Sequence, residues 1–209
     1  MYKLILLALI TTFACKQKEK SVEFYYEKGL NAAKKYNYQS CIFNMDKVDE
    51  VAPYSQESKN ASPILIFCHY AIKDFESMHS EIDSFETVHP TSPQLPYLYY
   101  LKTLSYYKIF KNHKKSTQVV ESLKNGIEKV DEIDTSAEYS RNLNALLPFI
   151  EQVHDKNALY IANQYAVYGN FISSAARYSQ LYTSTSNDET KKIVENSMQS
   201  ILQNLGIKE

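Results

Sequence analysis

The chain has 209 residues, 23 of them basic and 24 acidic, for a net charge of −1, and this length suffices for one domain with a sizeable core. The even charge, with no basic run beyond short pairs such as Lys34-Lys35, makes nucleic acid a poor partner. Four glycines, six prolines and no tryptophan, against eighteen tyrosines and nine phenylalanines, argue against a turn-rich all-β fold and for long helices with aromatic cores.

The first segment, MYKLILLALITTFAC, holds one basic residue, an apolar run from Leu4 to Ile10, then small and polar residues ending in Ala14-Cys15. The run is far short of the ~20 residues that span a bilayer, so it predicts a secretory signal over 1–14. A cysteine directly after the small residue resembles the bacterial lipoprotein box, with Thr12 where the box prefers leucine, and makes Cys15 the expected lipid attachment. Lys16 follows where lipoproteins kept in the inner membrane carry aspartate, so the outer membrane is expected. Residues 15–21 then form a short tether, and 22–207 the folded domain.

Helical periodicity sets in at 22. Residues 22–53 read as two helices separated by Tyr36-Asn37-Tyr38, with Cys41, Ile42, Met45 and Val48 on the apolar side of the second and Pro53 closing it. A second hairpin runs from about Ser62 to Pro90, with Ile64, Leu65, Phe67 and Cys68 on one helix and Phe75, Met78, Ile82 and Phe85 on the other. The spacing of the two closing prolines is close to the ~34-residue period of tetratricopeptide repeats, helix pairs that bury their apolar faces only by stacking on neighbours. Gly29 and Cys41 fall where small residues let paired helices approach. A long helix from Leu95 to Phe110, a polar turn at Lys111 to Lys115 and a helix ending near Val130 form the third unit. Residues 137–168 read as helical sequence that Pro148 must kink or split. Gly169-Asn170 ends it before a helix at 171–182, and the last helix covers about 188–205. The expected fold is all-α: an α-solenoid of about five tetratricopeptide-type hairpins built from ten helices.

Several blocks resemble one family, that of BamD, the tetratricopeptide lipoprotein of the outer-membrane β-barrel assembly machinery. Pro53-Tyr54-Ser55 with Ser58 resembles the exit from its first repeat. FETVHPTSPQLPYLYYLKTLS (85–105) resembles its most recognisable block, and YAVYGNFISSAARY (165–178) a later one. The chain departs from the pattern at Thr103, where a glycine is usual, at 111–115, where KNHKK replaces an Arg-Asp pair, and at 182–186, which lack a Tyr-Pro ending. The resemblance implies a non-catalytic scaffold whose N-terminal repeats receive the C-terminal signal of unfolded outer-membrane proteins and whose C-terminal repeats dock on the barrel insertase. An adaptor for cell-wall or division proteins is the other function this architecture admits.

Chemistry-bearing residues give no enzyme signature. His69, His79 and His89 recur at intervals of ten and cannot share a helix face as metal ligands, and the pairs Asp49-Glu50 and Asp131-Glu132 lie among lysines as solvated charge. No nucleophile elbow, phosphate loop or metal spacing is present in the sequence, so neither metal nor cofactor is expected. Cys41 and Cys68 stand on apolar stripes and read as buried thiols, with a disulfide the alternative in an oxidising compartment. Tyr26, Phe67, Tyr70, Tyr97 and Tyr100 fall on the first helices of the first three repeats, where the architecture forms a groove suited to an extended peptide. Packing in a tryptophan-free core is the competing role for each. Arg177, one of only two arginines with Arg141, lies in the later block and is the candidate for insertase docking, because a guanidinium pairs bidentately with a partner carboxylate.

Overall fold

The computed structural model describes residues 20–112 and 117–206. The signal segment, Cys15 and most of the tether lie outside the described residues, as does part of the turn expected at Lys111 to Lys115. Among the described residues there are ten α-helices and no strand. The fold is the all-α, helical-hairpin repeat class that the periodicity predicts. The chain separates into two compact units, 1–64 and 65–209.

The first unit contains α1 (Val22–Lys34), α2 (Tyr38–Val51) and the start of α3 (Gln56–Ile72). Asn37 opens α2 as N-cap, its side-chain oxygen accepting the Ser40 N–H at 3.2 Å, so one of the orphan N–H groups of the first turn is satisfied. Cys41, Met45 and Val48 are buried as their spacing predicts. A Cβ on Gly29 would lie 2.8 Å from Met45 Cε, which is the close helix approach expected there. Helix α3 starts six residues before the expected Ser62 and carries Pro63 inside it. Ser55 explains the early start: its Oγ accepts the Ser58 N–H at 3.0 Å, while the Ser58 hydroxyl donates to Asp49 at 2.6 Å. Pro63 removes one helical hydrogen bond without ending the helix.

The second unit holds the rest of α3, then α4 (Phe75–Val88), α5 (Leu95–Asn112), α6 (Thr117–Ile133), α7 (Glu138–Asn144), α8 (Leu147–Val167), α9 (Phe171–Ser184) and α10 (Asp188–Asn204). Its core is a succession of local clusters. Ile66, Met78, Ile82, Phe85, Leu98 and Leu101 join α3, α4 and α5; Phe110, Leu123 and Ile150 join α5, α6 and α8; Ala162, Tyr178, Leu181, Val194 and Ile201 join α8, α9 and α10. Each element buries its stripe against near neighbours in sequence, as a repeat protein does. Cys41 in the first unit and Cys68 in the second are both fully buried, and both are disulfide-bonded. The expectation of free buried thiols is thereby corrected, and an oxidising compartment favours that state.

Pro148 splits the segment it interrupts. It stands in the first turn of α8, where its missing N–H costs nothing. The preceding piece is the short α7, which packs on α5 and α6. Ala137 at its start is left-handed (φ 54°) and offers no capping side chain, so Asp134 takes that role. Its carboxylate accepts the Ser136 N–H and hydroxyl, the Tyr139 N–H at 2.8 Å and the Ser140 N–H at 3.0 Å. At the other end of α8, Gly169 adopts φ 76°, and the Asn170 N–H returns to the Tyr165 carbonyl at 2.9 Å, a helix stop that glycine makes without strain.

Candidate functional site

Two surfaces stand out in the second unit. The first is aromatic. Tyr97 and Tyr100, one turn apart on α5, face Tyr139 of α7 with ring centroids 6.0 and 4.9 Å away, and Tyr70 of α3 packs against the same core cluster as Tyr97. Burial pushes the Tyr97 and Tyr100 hydroxyls above the usual phenol range, and all four tyrosines of the cluster are half-buried. Rings of this kind offer a large apolar area and a polar tip to a partner chain. Phe67 is half-buried against the α3–α5 core, as are parts of Tyr70 and Tyr97. The structure therefore brings together Tyr70, Tyr97 and Tyr100 of the expected groove residues. Tyr26 lies apart, half-buried on α1 in the first unit.

Tyr139 was not legible as part of this surface. It belongs to a stretch that reads as one long helix, and only the separation of α7 and its packing on α5 and α6 carry it there.

The second surface is at the α8–α9 end. Asn170 caps α9 by accepting the Ser173 N–H at 3.2 Å, and Tyr178 anchors α9 by donating to Asn163 of α8 at 2.5 Å. Arg177, the neighbour of that buried tyrosine, is exposed, its guanidinium 5.0 Å from the Tyr165 ring centroid. No salt bridge holds it among the described residues, so the intramolecular ion pair that was its competing role is not what positions it. Around the same turn Val167, Tyr168 and Ile172 are 77%, 81% and 79% exposed, three large apolar residues with little intramolecular packing. Next to Arg177 a cleft of about 240 Å³ opens between α6, α8 and α9, with Ala158, Ile161 and Leu181 as its apolar lining and Lys124 and His154 on its edge. Its residues come from the consecutive helices α8 and α9 and from α6, which α7 separates from them in sequence.

The histidines have local partners. His69 pairs with Asp74 through Nδ1 at 3.0 Å, and His89 lies against the Phe85 ring. His79 Nε2 is 2.8 Å from Ser105 Oγ. Because the Ser105 hydroxyl donates to the Lys102 carbonyl, His79 must donate to Ser105, and burial lowers its pKa and favours the neutral ring. Among the described residues no group of His, Cys, Asp or Glu has the makings of a metal site, and no helix is long and apolar enough to cross a membrane.

Comparison with known proteins gives a family. The family model described as YfiO, outer membrane lipoprotein, matches residues 18–209. The outer membrane protein assembly factor BamD of Caulobacter vibrioides is 19% identical over 161 residues, covering 77% of this chain and 53% of the relative. The chain thus spans about half the length of that curated relative. The resemblance seen in the sequence blocks holds across the whole folded region: the chain belongs to the BamD-like YfiO family of outer membrane lipoproteins and shares its lipid-anchored, outer-membrane localisation.

Proposed function

We propose that this protein is a non-catalytic adaptor of the outer-membrane β-barrel assembly machinery, tethered through Cys15, that binds the barrel insertase and nascent outer-membrane-protein peptides. The family match over residues 18–209 carries this reading, and the Caulobacter relative is itself named an assembly factor. The exposed α8–α9 turn supports a docking face there. Arg177 supplies a positive charge free for a partner carboxylate, and Val167, Tyr168 and Ile172 supply apolar area beside it. The tyrosine cluster of α3, α5 and α7 supports the client-binding role, since an extended peptide lays alternate side chains on such a surface. With signal cleavage before Cys15, the tether KQKEKS reaches only about 20 Å at ~3.3–3.6 Å per residue, so the repeat domain of 22–207 works close to the lipid surface.

The test is a mild-detergent pull-down of the tagged lipoprotein from its own membranes, with mass spectrometry of what accompanies it. Recovery of a β-barrel insertase in near-equal amount is the expected result. Recovery of cell-wall enzymes without an insertase overturns the proposal.

A further inference from the structure

The outer side of α1 is basic and holds an exposed ring. Phe24, Lys28, Asn31 and Lys35, spaced by three or four residues, form one exposed stripe along the helix. It is turned away from Gly29, whose close approach to Met45 joins α1 to α2. Lys20, just before the N-cap Ser21, reaches the same place: its Nζ is 4.6 Å from the Phe24 ring centroid, and that of Lys28 is 5.9 Å from it. Phe24 itself is 41% exposed. None of Lys20, Lys28 and Lys35 is held in a salt bridge among the described residues. Of the two acids on α1, Glu23 is engaged at the helix start, where hydrogen bonds from its backbone and from Ser21 hold its carboxyl below the usual range. Glu27 borders the stripe and leaves it net positive.

The place of this stripe in the chain selects its partner. The whole chain has one more acid than base, yet residues 16–35 hold six lysines against three glutamates, so the positive excess sits directly after the anchoring cysteine. Only KQKE separates Cys15 from Lys20, and at ~3.3–3.6 Å per residue that span cannot exceed about 18 Å. A helix held on so short a leash meets lipid headgroups at high effective concentration, and lysines near an anionic leaflet are attracted to it. The composition suits an interface as well. In water the two ammonium groups cover the Phe24 ring; against a bilayer they can pass to phosphate oxygens at the ends of their long stems while the ring enters the boundary below.

We infer that α1 lies on the anionic phospholipid surface, with Lys20, Lys28 and Lys35 on headgroup phosphates and Phe24 in the interface. This inference rests on the anchoring at Cys15 in the function proposed above, and not on the assembly partners. The acyl anchor limits only how far the first unit stands from the membrane; the stripe fixes which side of α1 faces it.

The chain has no tryptophan, so F24W places a single indole on the stripe. Full-length lipidated F24W is reconstituted in vesicles of phosphatidylcholine, with or without phosphatidylglycerol, whose acyl chains carry bromine near the headgroup end. In the anionic vesicles the emission shifts to the blue and falls roughly twofold against unbrominated lipid, because an interfacial helix sits ~5–10 Å into the boundary between headgroups and acyl chains. The loss disappears in neutral vesicles, at high salt and in F24W/K20Q/K28Q/K35Q, whose circular dichroism and melting match the parent. The emission of a fully exposed indole in anionic vesicles overturns the contact. Quenching that is equal in neutral vesicles, or that persists without the three lysines, also overturns it, since the tether alone then brings the ring down. In the protein's own membranes a photo-crosslinking residue at position 28 labels phospholipid; a stoichiometric protein adduct instead assigns the stripe to a protein partner and overturns the inference. Mass spectrometry of the N-terminal peptide reads the anchor separately. An unlipidated Cys15 overturns the anchoring and this inference with it, whereas a lipidated Cys15 without quenching overturns the contact alone. If the lysine variant does not fold, the lipid and salt comparisons on F24W decide the question.

Discussion

Gly126 of α6 stands opposite Thr103 of α5, and replacing it by alanine sets two effects against each other. A Cβ at 126 would lie 2.5 Å from Thr103 Oγ1 and 3.2 Å from both Thr103 Cβ and Cγ2. Thr103 cannot swing aside cheaply, because it is fully buried, its hydroxyl donates to the Tyr99 carbonyl at 2.8 Å, and a β-branched side chain in a helix has few χ1 alternatives. Overpacking of this kind costs about 1–3 kcal/mol, while alanine gains about 1 kcal/mol over glycine in helix propensity. The net expectation for G126A is a loss of about 1 kcal/mol, or roughly 2–4 °C in Tm for a chain of this size. In a T103G background the three nearest atoms are gone, and the same substitution should stabilise by about 1 kcal/mol. The four proteins compared by urea denaturation, followed by far-UV circular dichroism, form a double-mutant cycle with a coupling of about 1–3 kcal/mol. A G126A protein at least as stable as its parent, or an equal effect in both backgrounds, would refute the argument that the glycine absent at 103 is replaced by the glycine at 126.

Other outcomes follow from the two surfaces and from the α7 cap. R177E lowers co-purification of the insertase by about fivefold, the effect of about 1 kcal/mol at an exposed charge pair, with unchanged melting; undiminished capture removes Arg177 from the docking face. Y168S/I172S likewise reduces capture without loss of stability, since both side chains are almost fully exposed; a lower Tm would show that they pack within the chain. Hydrogen bonds from the Ser136 side chain, then from the Ser140, Tyr139 and Ser136 backbone, hold the Asp134 carboxyl below the usual carboxylate range. A depressed folded pKa means that its stabilisation is complete above the unfolded value of about 3.9 and is lost as pH falls through the folded value. D134A should therefore lower the urea midpoint at neutral pH, and the gap to the parent should close on acidification. A gap that is constant with pH would mean that Asp134 acts through packing.

The helices were legible because their signals are local. Asn37, Asp74, Asn170 and Asn187 each accept the N–H three residues on, Gly169 stops α8, and the buried positions of α2 and α4 recur at helical spacing. A cap and a turn need nothing beyond a few neighbouring residues, so the sequence by itself determined the all-α hairpin class, the order of the helices and an interruption at Pro148, while the structure decided between a kink and a split. The start of α3 lies six residues before the expected Ser62, because the Ser55 cap with the Ser58–Asp49 bond sets it. The surfaces depended on contacts between distant segments. Tyr139 reaches Tyr97 and Tyr100 only because the short α7 folds back on α5, and Gly126 meets Thr103 only through the α5–α6 packing. Periodicity states which side of a helix is buried; which other helix covers it, and what is left exposed beside it, is settled by packing, and that only the tertiary structure decided.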